Sequence, residues 1–286
     1  MEIIPQLVLN SIIAGSIYAM VALGFNLIYG TARFFDLGYG ALAVVGGYTV
    51  FYLSKMLGWP LPLGIISGVV VAGLVGALIY YFVYQPLRAR QASPMVLLVA
   101  SLGVFTVIQA LIAILFSSQF QTLSAGSSKV YEIFGGVITQ VQLVIFLSGL
   151  AIMVLLGLAL RYTMFGKAVK AVSDDEEVAK MVGINTTKII GWVFFIGSAI
   201  AGLAGVLVGF DTGLEPTMGM NLLLKGVIAS IVGGIGNVYG GVIGAFLLGF
   251  VENFGIWQIS GEWKDAIAFG LLIVFLLFRP QGIFKK

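Results

Sequence analysis

Residues 166–207 read GKAVKAVSDDEEVAKMVGINTTKIIGWVFFIGSAIAGLAGVL, and the fold turns on how this stretch divides. From Ile189 to Phe210 no side chain is charged. At about 1.5 Å per residue, a helix of that length crosses a hydrocarbon layer of about 30 Å. Just before it stand four consecutive acids, Asp174, Asp175, Glu176 and Glu177, in a chain of which only 9% is charged. A membrane span therefore follows directly on a short, soluble-looking helix.

Moving outward, the apolar pattern recurs. The chain has 286 residues, 60% of them hydrophobic, and a mean hydropathy of +1.09. Soluble domains are typically about 45–50% apolar and about 25% charged. Apolar runs place spans at 7–29, 37–57, 61–84, 95–116, 141–160, 188–210, a broken pair within 221–256, and 264–279. The expected fold is an all-α polytopic membrane protein. It is read as one domain, 1–286, with eight to nine transmembrane or re-entrant helices and a short cytoplasmic helix. The ten-residue alternating segments of an outer-membrane barrel are absent.

Composition excludes several functions. The chain has no cysteine and no histidine, which removes disulfides, thiolate chemistry and the commonest general base and metal ligand. Only paired carboxylates or a Ser–Lys pair would remain for catalysis, and none faces another in mid-span, so no catalytic or metal site is expected. The net charge of +3 is spread over membrane edges instead of forming a patch, which argues against nucleic acid. The start, Met1–Pro5, lacks the basic and small-residue features of a cleaved signal, so the first apolar segment reads as a retained helix.

Lys and Arg set the orientation. Arg33, Arg88, Arg90, Arg161, Lys167, Lys170, Lys180, Lys188, Arg279, Lys285 and Lys286 fall on one side. Lys55, Lys129, Lys225 and Lys264 fall on the other. The loop 161–187 and the C-terminus are thus expected in the cytoplasm, with the N-terminus outside. The broken pair, NLLLKGVIASIVGGIGNVYGGVIGAFLLGFVENF from Asn221 to Phe254, is interrupted at Gly233–Asn237. It forms either two short spans or a re-entrant hairpin. Gly236, Gly240 and Gly244 recur every four residues, a spacing that lets helix backbones approach closely. Ala43–Gly47 faintly echoes Ser230–Gly234, as in transporters built from inverted repeats.

The acidic segment carries its own start and stop signals. Ser173 and Glu176 have capping-box spacing, and Asp174 and Asp175 fall in a first turn, where the helix dipole favours acids. Gly183 followed by Ile184 suits a left-handed stop. The predicted helix covers 174–182, far too short to span. Val178, Met181 and Val182 make one apolar edge opposite Glu177 and its acidic neighbours. A lipid-surface helix would be basic on its polar face. The remaining readings are a solvated loop helix or a knob that docks on a soluble partner.

At these residues the chain resembles the permeases of branched-chain amino acid ABC importers. Gly166, Lys170, Ala179, Gly183, Ile184 and Asn185 stand where that family has its cytoplasmic coupling loop. KGVIASIVGGIGNVYGGVIGAFLLGFVEN, with Lys225 and Glu252, matches the closing Gly-Gly-Ile-Gly stretch. YQPLRAR and SIYAMVALGFNLIYG match its basic turn and first span. One departure stands out: the family often has Asn-Phe-Ala-His-Gly after the first span, and here Arg33-Phe34-Phe35-Asp36-Leu37-Gly38 follows. Relatives of the family also handle urea, short amides and other amino acids.

The resemblance implies a permease in a prokaryotic inner membrane. It implies as partners two ATPase subunits, a second permease chain, identical or homologous, and an extracytoplasmic solute-binding protein. The chain has no phosphate-binding Gly-x-x-x-x-Gly-Lys-Ser/Thr loop. ATP and Mg are thus expected on the partner subunits, with no cofactor on this chain. The ATPase-coupling residues would be Ser173, Asp174, Asp175, Glu176, Glu177, Val178, Met181, Gly183 and Ile184. Candidates along the translocation path are Asp36, Asn221, Lys225, Asn237 and Glu252, polar groups in or beside apolar segments. For each, an ion pair or interhelical hydrogen bond competes with a lining role: Asp36 with Arg33, Glu252 with Lys225, and for Lys225 also an extension to the outer surface. The broken pair would also suit an ion-coupled secondary transporter.

Overall fold

The computed structural model describes residues 3–123, 129–133, 135–257 and 259–284. Lys285 and Lys286, counted above for orientation, and positions 124–128 and 134 of the longest loop lie outside the described residues.

The chain is helical nearly throughout. Helix α1 is Ile3–Ala32; α2 is Gly38–Val50, extended by a π-helical turn at Phe51–Met56. Helix α3 is Leu61–Ile79, continued by a π-helical turn at Tyr80–Tyr84 into Gln85–Ala89, and α4 is Pro94–Phe116. Strands β1 (Val130–Ile133) and β2 (Gly136–Thr139) precede α5 (Gln140–Tyr162), α6 (Met164–Asp174), α7 (Glu176–Met181) and α8 (Thr186–Asp211). Helices α9 (Met218–Gly233), α10 (Val238–Gly255) and α11 (Lys264–Phe278) complete the order.

Local chemistry sets these boundaries. Ser93, with Pro94 behind it, accepts from the Val96 N–H and starts α4. Asn185 accepts from Lys188 N–H to start α8, and Asn237 accepts from Tyr239 and Gly240 N–H to start α10. Among the described residues, six helices are long and apolar enough to cross a membrane: α1, α3, α4, α5, α8 and α10. The most apolar windows of α1 and α8 are 67% buried and that of α5 only 17%, so α5 leaves an apolar surface that a bilayer would cover.

Two compact units emerge. One comprises Leu27–Ser124 and Leu155–Leu223; the other comprises Met1–Asn26, Ala125–Val154 and Leu224–Lys286. In the first, α2, α3 and α8 form the core. A Cβ added at Gly46 would lie 2.5 Å from the Gly202 Cα, and one at Gly205 only 1.9 Å from the Ala43 carbonyl oxygen. Backbones meet directly there, as small residues allow in membranes. Tyr48, Val206 and Leu214 fill one end of that core.

In the second unit, α9 and α10 make the expected hairpin, broken at 234–237. A Cβ at Gly240 would meet the Gly233 carbonyl oxygen at 2.4 Å, and one at Gly244 the Ala229 carbonyl oxygen at 2.1 Å. Gly234 and Gly236 turn the chain with φ of 115° and 78°. The carbonyls of Val232 and Gly233, left over at the end of α9, accept from the backbone N–H groups of Ile283 and Phe284 at 2.9 and 3.1 Å. The turn therefore lies at the same end of the unit as the C-terminal segment, not half-way along the helices. The internal echo is not matched in structure: Ala43–Gly47 is mid-helix in α2, whereas Ser230–Gly234 ends α9.

One element was not anticipated. Part of the long loop 117–140 forms an antiparallel hairpin, with Val130 opposite Thr139 and Glu132 opposite Val137. The alternating VYEI and GVIT are strand-like, but the Ser- and Gly-rich residues before them mask the signal. The Gln6 side chain both donates to and accepts from the Val137 backbone, at 3.0 and 2.8 Å, and ties the hairpin to α1.

Candidate coupling loop and buried charge cluster

The loop after α5 folds as two helices. The Thr163 hydroxyl accepts from Gly166 N–H at 3.0 Å and starts α6, whose Val169 and Val172 are buried. Helix α6 runs to Asp174, and the chain then extends at Asp175 (φ −153°, ψ 115°). The Asp175 carboxylate accepts from the N–H groups of Glu177 (2.8 Å) and Val178 (3.0 Å). Asp175 is thus the cap of α7, and the expected start at Ser173 is displaced by two residues. Ser173 belongs to the last turn of α6, and its backbone carbonyl accepts from the Arg33 guanidinium. Asp174 closes α6 instead of opening α7.

The stop signal matches its expectation. Gly183 has φ +87°. Its N–H bonds the Lys180 carbonyl and the Ile184 N–H bonds the Ala179 carbonyl, both at 3.0 Å, the two bonds of a Schellman ending. Around this frame Ala179 is buried, while Val178, Met181 and Val182 are 54%, 83% and 70% exposed. The apolar edge read from the sequence faces outward, as does Glu177.

Glu176 does not reach back to a cap. Its carboxylate pairs with the Arg88 guanidinium at the end of α3 and with Lys180 Nζ at 2.9 Å, and it accepts from the Thr186 hydroxyl at 3.2 Å. Partial burial pushes this carboxyl up, but the Lys180 hydrogen bond, the Arg88 and Lys180 charges and the Thr186 hydroxyl outweigh it and hold it below the ordinary range. Glu176 thereby joins α3, α7 and the first turn of α8. Neither Arg88 nor Thr186 was expected here. In the sequence Arg88 is marked as a positive charge beside a span and as part of the YQPLRAR turn, and neither signal points to Glu176.

Asp36 is buried in the short linker between α1 and α2. It accepts from the Tyr84 hydroxyl at 2.7 Å and from the N–H groups of Gly38 and Tyr39, the first of α2. Its expected partner, Arg33, turns instead to Ser173, with φ +60° at Arg33 itself. Phe34 packs edge-on to Tyr84, with ring centroids 5.0 Å apart.

Of the other candidates, Lys225 and Glu252 meet at the far end of the α9–α10 hairpin from its turn. Lys225 is buried and pairs with Glu252, which is fully buried, and with Asp265 Oδ1 at 2.8 Å. The Glu252 carboxylate also accepts from the Tyr18 hydroxyl at 2.7 Å, and Lys264 Nζ lies 3.8 Å away. Lys225 is itself buried and its ammonium is bound between the buried Glu252 and the exposed Asp265, so it does not extend free to the surface. Tyr18 lies in the SIYAMVALGFNLIYG stretch, but nothing in the sequence links Tyr18 or Asp265 to the pair they complete. Asn237 is occupied as the α10 cap. Asn26 accepts from the Gly236 N–H at 2.9 Å. Asn221 is exposed on α9.

Comparison with known proteins places this arrangement. Residues 7–276 match the family model for the permease component of the branched-chain amino acid transport system. The chain is 31% identical to the high-affinity branched-chain amino acid transport system permease protein LivH of Escherichia coli, covering 98% of this chain and 95% of that protein. It is 32% identical, with the same coverage, to the permease protein BraD of Pseudomonas aeruginosa. Among solved structures it resembles PsaBC from Streptococcus pneumoniae, bound to a Fab, with a TM-score of 0.54 at 15% identity, covering 98% of this chain and 93% of that one. The chain belongs to the family of branched-chain amino acid transport system permease components.

Proposed function

We propose that this multi-pass membrane permease forms half of the pore of an ATP-binding cassette importer for branched-chain amino acids. A second permease chain completes the pore, two ATPase subunits hydrolyse ATP with Mg, and an extracytoplasmic binding protein delivers substrate. The observation that carries the reading is α7. It is a two-turn helix closed at both ends and tied to α3 through Glu176, and it still presents Val178, Met181 and Val182 to solvent. An apolar edge on an otherwise acidic helix suits a groove in a soluble partner. Segment 173–184 would then dock on an ATPase subunit and pass its movement to the spans.

In this reading the loop 161–187 and the C-terminus face the cytoplasm and the N-terminus faces outside. Helix α2 with its π-helical extension, α9 and α11 join the six longer spans within the membrane, giving the eight to nine elements expected. Asp36, Lys225, Asn237 and Glu252 are each held by a structural partner, which leaves Asn221 as the candidate for lining the path. Relatives about 31% identical over nearly the whole chain favour leucine, isoleucine or valine as the cargo.

The test is purification in mild detergent from native membranes, with mass spectrometry of the co-eluting chains, followed by reconstitution and leucine uptake. ATPase subunits that co-elute and uptake that requires ATP support the proposal. A chain that elutes alone and moves leucine in liposomes without ATP contradicts it.

A further inference from the structure

The linker between α1 and α2 is wired to the coupling loop at two points. Arg33 donates to the Ser173 carbonyl at the end of α6. Asp36, three residues on, accepts from the Tyr84 hydroxyl. Tyr84 stands one helical turn before Arg88 on the continuous α3 ladder, and Arg88 returns to the loop at Glu176. Ser173 and Glu176 are three positions apart in sequence, on either side of the extended residue Asp175 that separates α6 from α7. The contacts close a ring: loop to linker, linker to α3, α3 back to loop. The linker is further fixed by its Leu37 N–H, which donates to the Ser101 hydroxyl of α4 at 3.0 Å.

Two features show that the ring is constrained. Arg33 holds φ +60°, a left-handed conformation that a long side chain adopts only when its surroundings impose it. Arg33 directly follows the last residue of α1 and its N–H bonds the Tyr29 carbonyl at 3.0 Å, so the left-handed backbone belongs to the helix ending, and the guanidinium bond to the Ser173 carbonyl anchors that ending to the loop. Asp36 is buried and satisfied by Tyr84 and by the first N–H groups of α2. Any shift of the linker therefore shifts the start of α2, which packs backbone-to-backbone on α8. Packed interfaces of this kind move as units.

Resting on the docking role of α7 proposed above, we infer that Arg33 and Asp36 are positioning residues for coupling. They carry movement of the α6–α7 junction through the 33–37 linker into α2, in parallel with the Arg88 tie to α3. The loop thus drives the membrane core through two connections, and Tyr84 keeps them in step.

The experiment is hydrogen exchange on the complex with its co-purifying ATPase subunits, compared without nucleotide and with ATP plus orthovanadate. Peptides covering 33–40 and 176–184 are followed. In the unmodified complex, ATPase binding protects 176–184, and nucleotide trapping changes exchange at Gly38 and Tyr39 about tenfold, the factor expected for one charge-assisted hydrogen bond made or lost. Arg33→Asn tolerates the left-handed backbone but is too short to reach Ser173, so folding is spared. Tyr84→Phe removes only the hydroxyl. In both variants 176–184 stays protected and the response at 33–40 is lost.

A protected 176–184 with no response at 33–40 in the unmodified complex overturns this inference and leaves the docking role standing. Variants that respond like the unmodified complex do the same. If 176–184 gains no protection from the ATPase subunits, the docking role fails and this inference falls with it.

Discussion

Arg88 and Glu176, separated by 88 positions, form an ion pair that fastens a two-turn helix to the end of a helix long enough to cross a membrane. Both side chains are less than a third exposed, and Glu176 gathers Lys180 and Thr186 as well. Charge-assisted hydrogen bonds of this kind contribute about 1.5–3 kcal/mol. Arg88→Ala is expected to loosen α7 by that amount, and Arg88→Lys by less, because an ammonium keeps the charge without the planar fork. Hydrogen exchange of residues 176–181 in the detergent-solubilised chain measures both.

The same carboxylate makes the loop sensitive to acid. Glu176 is held below its ordinary value of 4.5, so its contribution is present above that pH and is lost as pH falls through the lowered value. Protease sensitivity of the 161–187 loop should rise in that acid range. Glu176→Gln should flatten the profile and leave the loop loose at neutral pH as well.

Gly183 sits at φ +87° with open space around it. A Cβ there would meet no atom within 4 Å, so the cost of a substitution is chiefly conformational. Gly183→Val is expected to lose about 1–2 kcal/mol of local stability and to reduce ATP-driven uptake, while the chain still accumulates in the membrane. Unchanged uptake by the reconstituted variant would separate the Schellman ending from coupling.

What was legible in the sequence follows from range. Six of the long apolar helices, the Gly183 stop and the Gly240 and Gly244 contacts rest on local patterns of apolar and small residues, and the structure forms them where expected. Pairing of Lys225 with Glu252 was also readable, because they lie on consecutive helices joined by a four-residue turn. Misreadings came where a distant group decided the outcome. Ser173 and Glu176 have the spacing of a capping box, but Arg33 and Arg88 claim their carbonyl and carboxylate, and Asp175 becomes the cap. For Asp36 the sequence offers a pair with Arg33, three residues away, or a place along the path, yet the Tyr84 hydroxyl holds it. The partners that complete each cluster, Tyr18, Tyr84, Thr186 and Asp265, are brought in by tertiary packing, and no local pattern names the residue each one meets.

Breaking a buried ion pair by removing one partner typically costs about 3–5 kcal/mol, and without Glu252 the buried Lys225 keeps only the exposed Asp265 as a carboxylate partner among the described residues. Glu252→Gln is therefore expected to lower thermal stability in detergent more than the double variant Lys225→Met/Glu252→Gln, in which no buried charge is stranded. A double variant less stable than the single one would show that Asp265 and Lys225 form a sufficient pair by themselves.

The hairpin depends on backbone contact. A side chain at Gly244 would press on the Ala229 carbonyl oxygen, 2.1 Å from a Cβ, with no flexible group to yield. Gly244→Leu should prevent close packing of α9 on α10 and sharply lower the amount of folded chain recovered from membranes, as seen by size-exclusion chromatography. Gly261→Leu, in open space, should be recovered normally.

The most direct test of the account is contact between α7 and an ATPase subunit. The chain has no cysteine, so Met181→Cys introduces one thiol on the exposed edge of α7. A short heterobifunctional cross-linker, reacting with that thiol and with nearby lysines in native membranes, should join this chain to an ATPase subunit identifiable by mass spectrometry. A control thiol at Gly261, distant in sequence from the loop, should not. Cross-linking from position 181 only to lipid-embedded chains, or to nothing, while ATP-dependent uptake persists, would contradict the assignment of α7 as the coupling helix.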